Sequence, residues 1–227
     1  MSFAPVNMSN LRDSLVVSIR EAILSGKLRP GDRIVEYKIA REMGLSQNSV
    51  REALIVLEQQ GLVTRIANKG AMVTKLSSEA MEQIYLVRGE LEGLAIKFAK
   101  QHMRLVDVDE LQRTIDDMRA AARHVDLVTF CRLDFDFHHR LWEFSGNPYL
   151  VKALSSIVAP QFSYVLIESS RATDKDLLAL AEQHQQMLEL IKNESADDAA
   201  AGVRQIIHKF HDFARPVFGP DIAAPRR

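Results

Sequence analysis

Apolar residues recur along the chain in two rhythms. At the start, Leu11, Leu15, Ile19, Ala22 and Ile23 share one helical face, and Gly26 followed by Pro30-Gly31 closes that segment with a turn. "EYKIAREMG" is a short second helix ending at Gly44. "LSQNSVREALIVLEQQG" predicts a third, with Ser46 as N-cap, Val50, Leu54 and Leu57 as buried stripe, and Gly61 as stop. The rhythm then changes, and "LVTRIANKGAMVTKL" reads as strand, glycine turn, strand. Three helices followed by a small hairpin is the order of a winged helix-turn-helix.

From Ser77 on, only the helical rhythm remains. Predicted helices cover Ser78–His102, Val106–Ala122, Leu127–Ser145, Pro148–Ser169, Thr173–Lys192 and Asp197–Phe213. Six helices without an intervening strand predict an all-α bundle, a scaffold that builds ligand sites between facing helices. The fold class is therefore mainly α, a winged helix-turn-helix joined to a helical bundle.

Charge places the boundary between them. The net charge of −1 hides 11 Lys and Arg against 7 Asp and Glu up to Leu76, and 18 against 23 beyond it. All seven histidines also lie in the second part. Residues 1–76 form the slightly basic DNA-binding candidate and 77–227 the acidic, histidine-bearing one. The single cysteine, Cys131, rules out an intramolecular disulfide and a thiolate zinc cluster, fits a reducing cytoplasm, and reads as a small buried residue. No apolar run approaches the ~18 residues of a membrane span, and "MSFAPVNMSNLRDSL" lacks a secretory signal's pattern. The expected location is cytoplasmic.

The second and third helices are joined by only "GLS", the tight turn of a DNA-reading pair. Ser46, Gln47, Asn48, Ser49 and Arg51 gather at the end of the third helix that enters the major groove in such proteins. Gln and Asn can pair bidentately with adenine, and Arg with guanine or phosphate. Taken alone, "SQNS" could equally be an ordinary polar helix start.

The densest chemistry lies in "LDFDFHHRLWEFSGNP". At about 100° per residue, the apolar stripe is Phe130, Leu133, Phe137, Leu141 and Phe144. Asp134 and His138 border it on one side, whereas Asp136 and His139 point away. A carboxylate turned inward is costly without a cation or a hydrogen-bond partner. A metal ion and a buried Asp–His hydrogen bond both satisfy the pair. His184 lies within the stripe of Leu177, Ala181, Leu188 and Ile191, and His208 and His211 supply a further candidate, His211 lying nearer the apolar side. One Asp and three His suit zinc, nickel or manganese and are wrong for copper(I). Asn147 reads as a cap of the turn before Pro148, and Trp142 and Tyr149 as packing residues.

The first block resembles the DNA-binding domain of the GntR family of bacterial transcription regulators, through "IREAILSGKLRPGDRI", "IAREMGLSQNSVREAL", "LEQQGLV" and "NKGAMV" in order. The resemblance implies contacts to bases and phosphates from Ser46, Gln47, Asn48, Ser49 and Arg51, with Lys69 and Gly70 at the wing tip. Gln47 stands where many members carry a guanine-reading arginine, and Tyr37 where some carry another, so the operator is expected to differ from the common one. "D-F-D-F-H-x-x-L-x-x-x-S-G-N-P-x-L" resembles the FadR-type effector domain of the same family, the FCD domain, and "VRGELEGLAIKFA" its first helix. In metal-binding members an Asp and three His hold a divalent ion at the floor of the effector cavity. Asp134, His138 and His184 match these positions. The last ligand's usual spacing lands near Ile206, so His208 requires about two extra residues in "KNESADD" and His211 five; His208 is the expected fourth ligand. Gln183 replaces a glutamate frequent in the family. Arg88 matches an arginine that could bind an acid's carboxylate, the alternative being a solvated surface arginine.

The resulting expectation is a ligand-responsive regulator, a repressor by resemblance, binding two-fold symmetric operator DNA as a homodimer. It would sense a small carboxylate through a pocket holding a divalent transition metal, zinc before nickel or manganese. Two alternatives use the same residues. A metal-dependent hydrolase or lyase fused to the DNA-binding head would need a general base, for which Glu168 and Glu90 are the remaining candidates. A direct metal sensor would take the ion itself as its signal.

Overall fold

The computed structural model describes residues 8–59, 61–66, 69–168 and 174–214. The chain divides into two compact units, Met1–Lys75 and Leu76–Arg227.

The first unit runs α1 (Met8–Leu24), β1 (Arg33–Ile34), α2 (Glu36–Met43), α3 (Gln47–Gln59), β2 (Val63–Ile66) and β3 (Gly70–Val73). Leu15, Ile19 and Ile23 of α1 pack with Val50, Leu54 and Leu57 of α3 to form its core. The turn between α2 and α3 needs a left-handed residue; Gly44 supplies φ 66° and, with Leu45, returns its N–H to the last carbonyls of α2. The wing is a three-stranded antiparallel sheet in the order β1-β3-β2, not the expected hairpin of two. Arg33 faces Met72 and Ile34 faces Ala71 across the added pair. Two residues are too few to show an alternating pattern, so β1 is visible only through its partner.

Among its described residues the second unit has six helices: α4 (Ser78–His102), α5 (Leu105–Arg123), α6 (Leu127–Glu143), α7 (Pro148–Glu168), α8 (Asp174–Asn193) and α9 (Ala196–Ala214). Their ends fall within two residues of the predicted ones, because each helix carries its own apolar stripe. α4 packs against α6, α7 and α9, and α5 against α6 and α8. Tyr85, Ile96, Leu111, Phe137, Leu188 and Val203 meet in the main core. α9 lies close to α4: a Cβ built at Gly93 would stand 3.4 Å from the Ala200 carbonyl and 3.2 Å from Arg204 Nε. Lys100 of α4 caps the end of α8, its Nζ donating to the carbonyls of Ile191 (2.5 Å) and Glu194 (2.6 Å). Among the described residues, no helix is long and apolar enough to cross a membrane.

Two packing expectations divide. Trp142 is fully buried, but Tyr149 is 84% exposed. Tyr149 follows Pro148 in the first turn of α7, on the side away from Leu150 and Leu154, so its ring meets solvent. Asn147 caps that helix, its Oδ1 accepting from the N–H groups of Tyr149 and Leu150.

Candidate metal and effector site

The polar end of α3 is organised by its own side chains. Ser46 Oγ accepts from the Ser49 N–H at 3.1 Å and lies 2.9 Å from Ser49 Oγ, which caps the helix. Ser49 is thereby turned inward and buried, whereas Gln47, Asn48 and Arg51 are exposed. Asn48 reaches Glu52, and Arg51 is held by Glu36 of α2 at 2.9 Å. Lys69 and Gly70 are exposed at the wing.

In the helical unit, α6 begins at its N-cap Asp126, which accepts from the Thr129 N–H. Its buried face carries Phe130, Leu133, Phe137 and Leu141, with Asp134 and His138 one turn apart beside them. Asp136 and His139 are only partly covered, Asp136 reaching Arg132 and His139 facing Glu143. The inward and outward pairs separate as the helical phase requires.

His138 is 2% exposed and held from two sides. Its Nδ1 is 3.0 Å from Glu92 Oε2 and its Nε2 is 3.0 Å from Arg88 Nη2. A carboxylate can only accept and a guanidinium can only donate, so this assigns the hydrogen to Nδ1 and the lone pair to Nε2. Burial holds His138 below the ordinary imidazole range against the pull of Glu92, which favours the neutral ring. The fully buried Glu92 would be raised by burial, but Arg88 and His138 outweigh it and bring its carboxyl down to about 2. Burial would likewise lower Arg88, yet Glu92 keeps it charged.

His184, on α8, completes the group. Its Nδ1 lies 2.8 Å from the Leu180 carbonyl and its Nε2 lies 2.8 Å from Asp134 Oδ1. His138 Nε2 is 3.6 Å from that same oxygen. Burial opposes charge on Asp134, but His184, His138 and Arg88 together hold its carboxyl below the ordinary range. Atoms of Asp134, His138 and His184 that could ligate a metal ion all fall within 4.8 Å of one another.

These residues fit a divalent cation on the chemistry of their donors. Each histidine has its Nδ1–H anchored by an acceptor, the outer-shell arrangement that orients a metal-binding imidazole. The Nε2 lone pair of His184 is then aimed at a carboxylate oxygen 2.8 Å away, while that of His138 accepts from Arg88 and lies 3.6 Å from the same oxygen. A lone pair and a carboxylate repel unless a proton or a cation lies between them. The cavity at this point has a volume of about 30 Å³ and is lined also by Arg88, Gln161 and Phe162.

His208 is not brought to this group. It is exposed on α9, with its Nε2 3.6 Å from where a Cβ of Gly89 would stand. Ile207 and Phe210 face the cavity instead, because α9 turns its apolar stripe toward α4. The ring of His211 and the side chain of Glu168 lie outside the described residues. Arg88 is buried at 4% exposure and is no surface arginine. Glu90 is exposed and pairs with Arg204.

Two further residues matter here. Glu92 was recoverable: Arg88 and Glu92 stand four apart inside the stripe Met81, Tyr85, Ile96 and Ala99 of α4, where an ion pair needs a reason. Gln161 of α7 carried no such signal. It is buried and lines the cavity, with its amide beside the Tyr85 hydroxyl.

Comparison with known proteins agrees with this anatomy. Residues 11–73 match the bacterial regulatory proteins of the gntR family, and residues 83–209 match the FCD domain. The Nta operon transcriptional regulator of Aminobacter aminovorans is 30% identical over 190 residues, covering 83% of this chain and 87% of that protein. The gluconate operon transcriptional repressor of Bacillus subtilis (strain 168) is 25% identical over 203 residues, covering 86% and 79%. Among solved structures, E. coli McbR/YncC superposes with a TM-score of 0.79 at 19% identity, over 92% of this chain and 99% of that one, a likeness of fold.

Proposed function

The chain belongs to the GntR family of bacterial transcriptional regulators, with an FCD domain following its DNA-binding head, and on that footing we propose that it senses a small hydroxy-carboxylic acid through a divalent cation. The ligands are Asp134, His138 and His184, with zinc the first candidate and nickel or manganese next. One observation carries this reading: the anchored His184 imidazole aims its Nε2 lone pair at Asp134 Oδ1, with His138 Nε2 3.6 Å from the same oxygen. A bound ion supplies positive charge and open coordination positions for an acid's carboxylate and hydroxyl. Arg88 offers a charge-assisted bond to the carboxylate, and Gln161 lines the same cavity with an amide that can pair with a hydroxyl. A relative named for a gluconate operon points to the same class of acid.

The regulator is DNA-binding by family. In this reading Gln47, Asn48 and Arg51 face the bases, Lys69 and Gly70 meet the backbone, and Ser46 with Ser49 hold the helix end. It works in the cytoplasm as a FadR-type homodimer on a two-fold operator, the exposed Leu86, Val87 and Leu94 of α4 giving the second copy an apolar face. Acid binding shifts the dimer between DNA-competent and incompetent states. Relatives named as repressors favour release of DNA.

Elemental analysis of the purified chain beside His184→Ala tests this. About one transition-metal ion per chain, lost in the variant, is the expected result. Absence of metal from both proteins would reduce the group to a buried hydrogen-bond cluster.

A further inference from the structure

Arg88 and any metal ion compete for the same lone pair. Glu92 accepts from Arg88 Nε at 2.6 Å and from His138 Nδ1 at 3.0 Å, which leaves His138 Nε2 as the only ring atom able to ligate. That lone pair already accepts from Arg88 Nη2 at 3.0 Å. The guanidinium is also the positive charge that faces both Glu92 and Asp134. From this geometry we infer that Arg88 is a resident cation of the site, displaced from His138 when metal binds and thereby released to hold the effector's carboxylate. The inference rests on the metal-and-acid reading above.

The consequences follow from bond counting. Arg88 donates its Nε–H to Glu92, so its rigid guanidinium plane can pivot about that bond while the buried ion pair stays intact. Its Cζ lies 5.3 Å from the Phe162 ring centroid, a surface across which the flat group can move without losing contact. Once His138 Nε2 is occupied, an Arg88 N–H loses its acceptor in a buried space, an unfavourable state that an incoming carboxylate relieves. Arg88 therefore opposes metal binding while no acid is present and favours acid binding once metal is in place. By linkage, the acid must in turn tighten the hold on metal.

A simple bridge, in which Arg88 only touches the acid, predicts something different. Removing Arg88 would then weaken acid binding and leave metal affinity without acid unchanged. The discriminating experiment is zinc affinity of the full chain by chelator competition, with no acid present, in the wild type, Arg88→Gln/Glu92→Gln and His184→Ala. The double substitution removes the pair together and avoids stranding a buried charge. Zinc should bind the double variant roughly tenfold to a hundredfold more tightly than the wild type, the range of one hydrogen bond to a charged group. Gluconate, used as the probe acid, should lose its affinity for the zinc-loaded variant. Equal or weaker zinc binding by the double variant, with His184→Ala still losing the ion, overturns displacement and leaves the metal site standing. If wild type and His184→Ala bind zinc alike, the metal reading itself fails. A crystal structure of the zinc-loaded wild type guards against a variant that does not fold: Arg88 Nη2 must leave hydrogen-bond range of His138 Nε2, and its persistence there sinks the inference.

Discussion

His184 Nε2 meets Asp134 Oδ1 at 2.8 Å while the other nitrogen of the same ring is committed to the Leu180 carbonyl. The imidazole therefore cannot donate to the carboxylate in its neutral form, and the contact calls for a cation or a proton. Asp134→Asn separates the ion's role from that of packing. An amide N–H can donate to His184 Nε2 and satisfy it without any ion. The variant should remain folded, with stability within about 1 kcal/mol of the metal-free wild type, while its zinc affinity falls at least about tenfold. Urea unfolding and zinc competition on the same preparation read the two effects; undiminished zinc binding would remove Asp134 from the ligand set.

Glu92 makes acid sensitivity predictable. Its carboxyl is lowered from 4.5 to about 2, so between those values the unfolded chain binds a proton that the folded one refuses. The stabilisation is complete above about pH 4.5 and is lost as the pH falls toward 2. Glu92→Gln alone strands Arg88 and should cost roughly 3–5 kcal/mol at pH 7. The difference from wild type should shrink below pH 4.5, as followed by urea unfolding at a series of pH values.

On the DNA side, the wing and the reading helix should respond differently. Lys69→Ala should weaken binding to all sequences and reduce the slope of log affinity against log salt by about one. Gln47→Arg should instead change which base is preferred at one position of each half-site, by about 1–3 kcal/mol. Titrations of an operator and of substituted operators at several salt concentrations distinguish the two.

Leu86 is 60% exposed and Leu94 40% exposed on one side of α4. Charging this face with Leu86→Glu/Leu94→Glu should yield a folded monomer in sedimentation equilibrium and abolish tight binding to a two-fold operator. A dimer that persists at micromolar concentration would move the interface elsewhere.

Cys131 is buried and its thiol is pushed well above the ordinary range, chiefly by burial and further by Asp134. The native chain should resist thiol labelling at pH 8 and react only after denaturant unfolds the helical unit. Rapid labelling of the native protein would show that α6 opens locally.

What the sequence determined by itself is the part carried by neighbours in the chain. Helical phase depends on residues three and four apart, so the helices, their stripes and the inward pairing of Asp134 with His138 are all legible locally. Glycine and cap residues likewise marked the winged motif. The tertiary structure alone decided what those faces meet. β1 exists because Arg33 and Ile34 find Met72 and Ala71, some forty residues on. Arg88 and Glu92 turn into the site because α4 is covered on several sides, and Gln161 arrives from α7, a helix with no local mark of that role. His208 shows the limit most clearly: its residue type and rough spacing suited a ligand, but close packing of α9 on Gly89 and Gly93 sets which side of that helix enters the core. A rotation of one residue, about 100°, separates a ligand from a solvated side chain, and only the packed neighbour sets that angle.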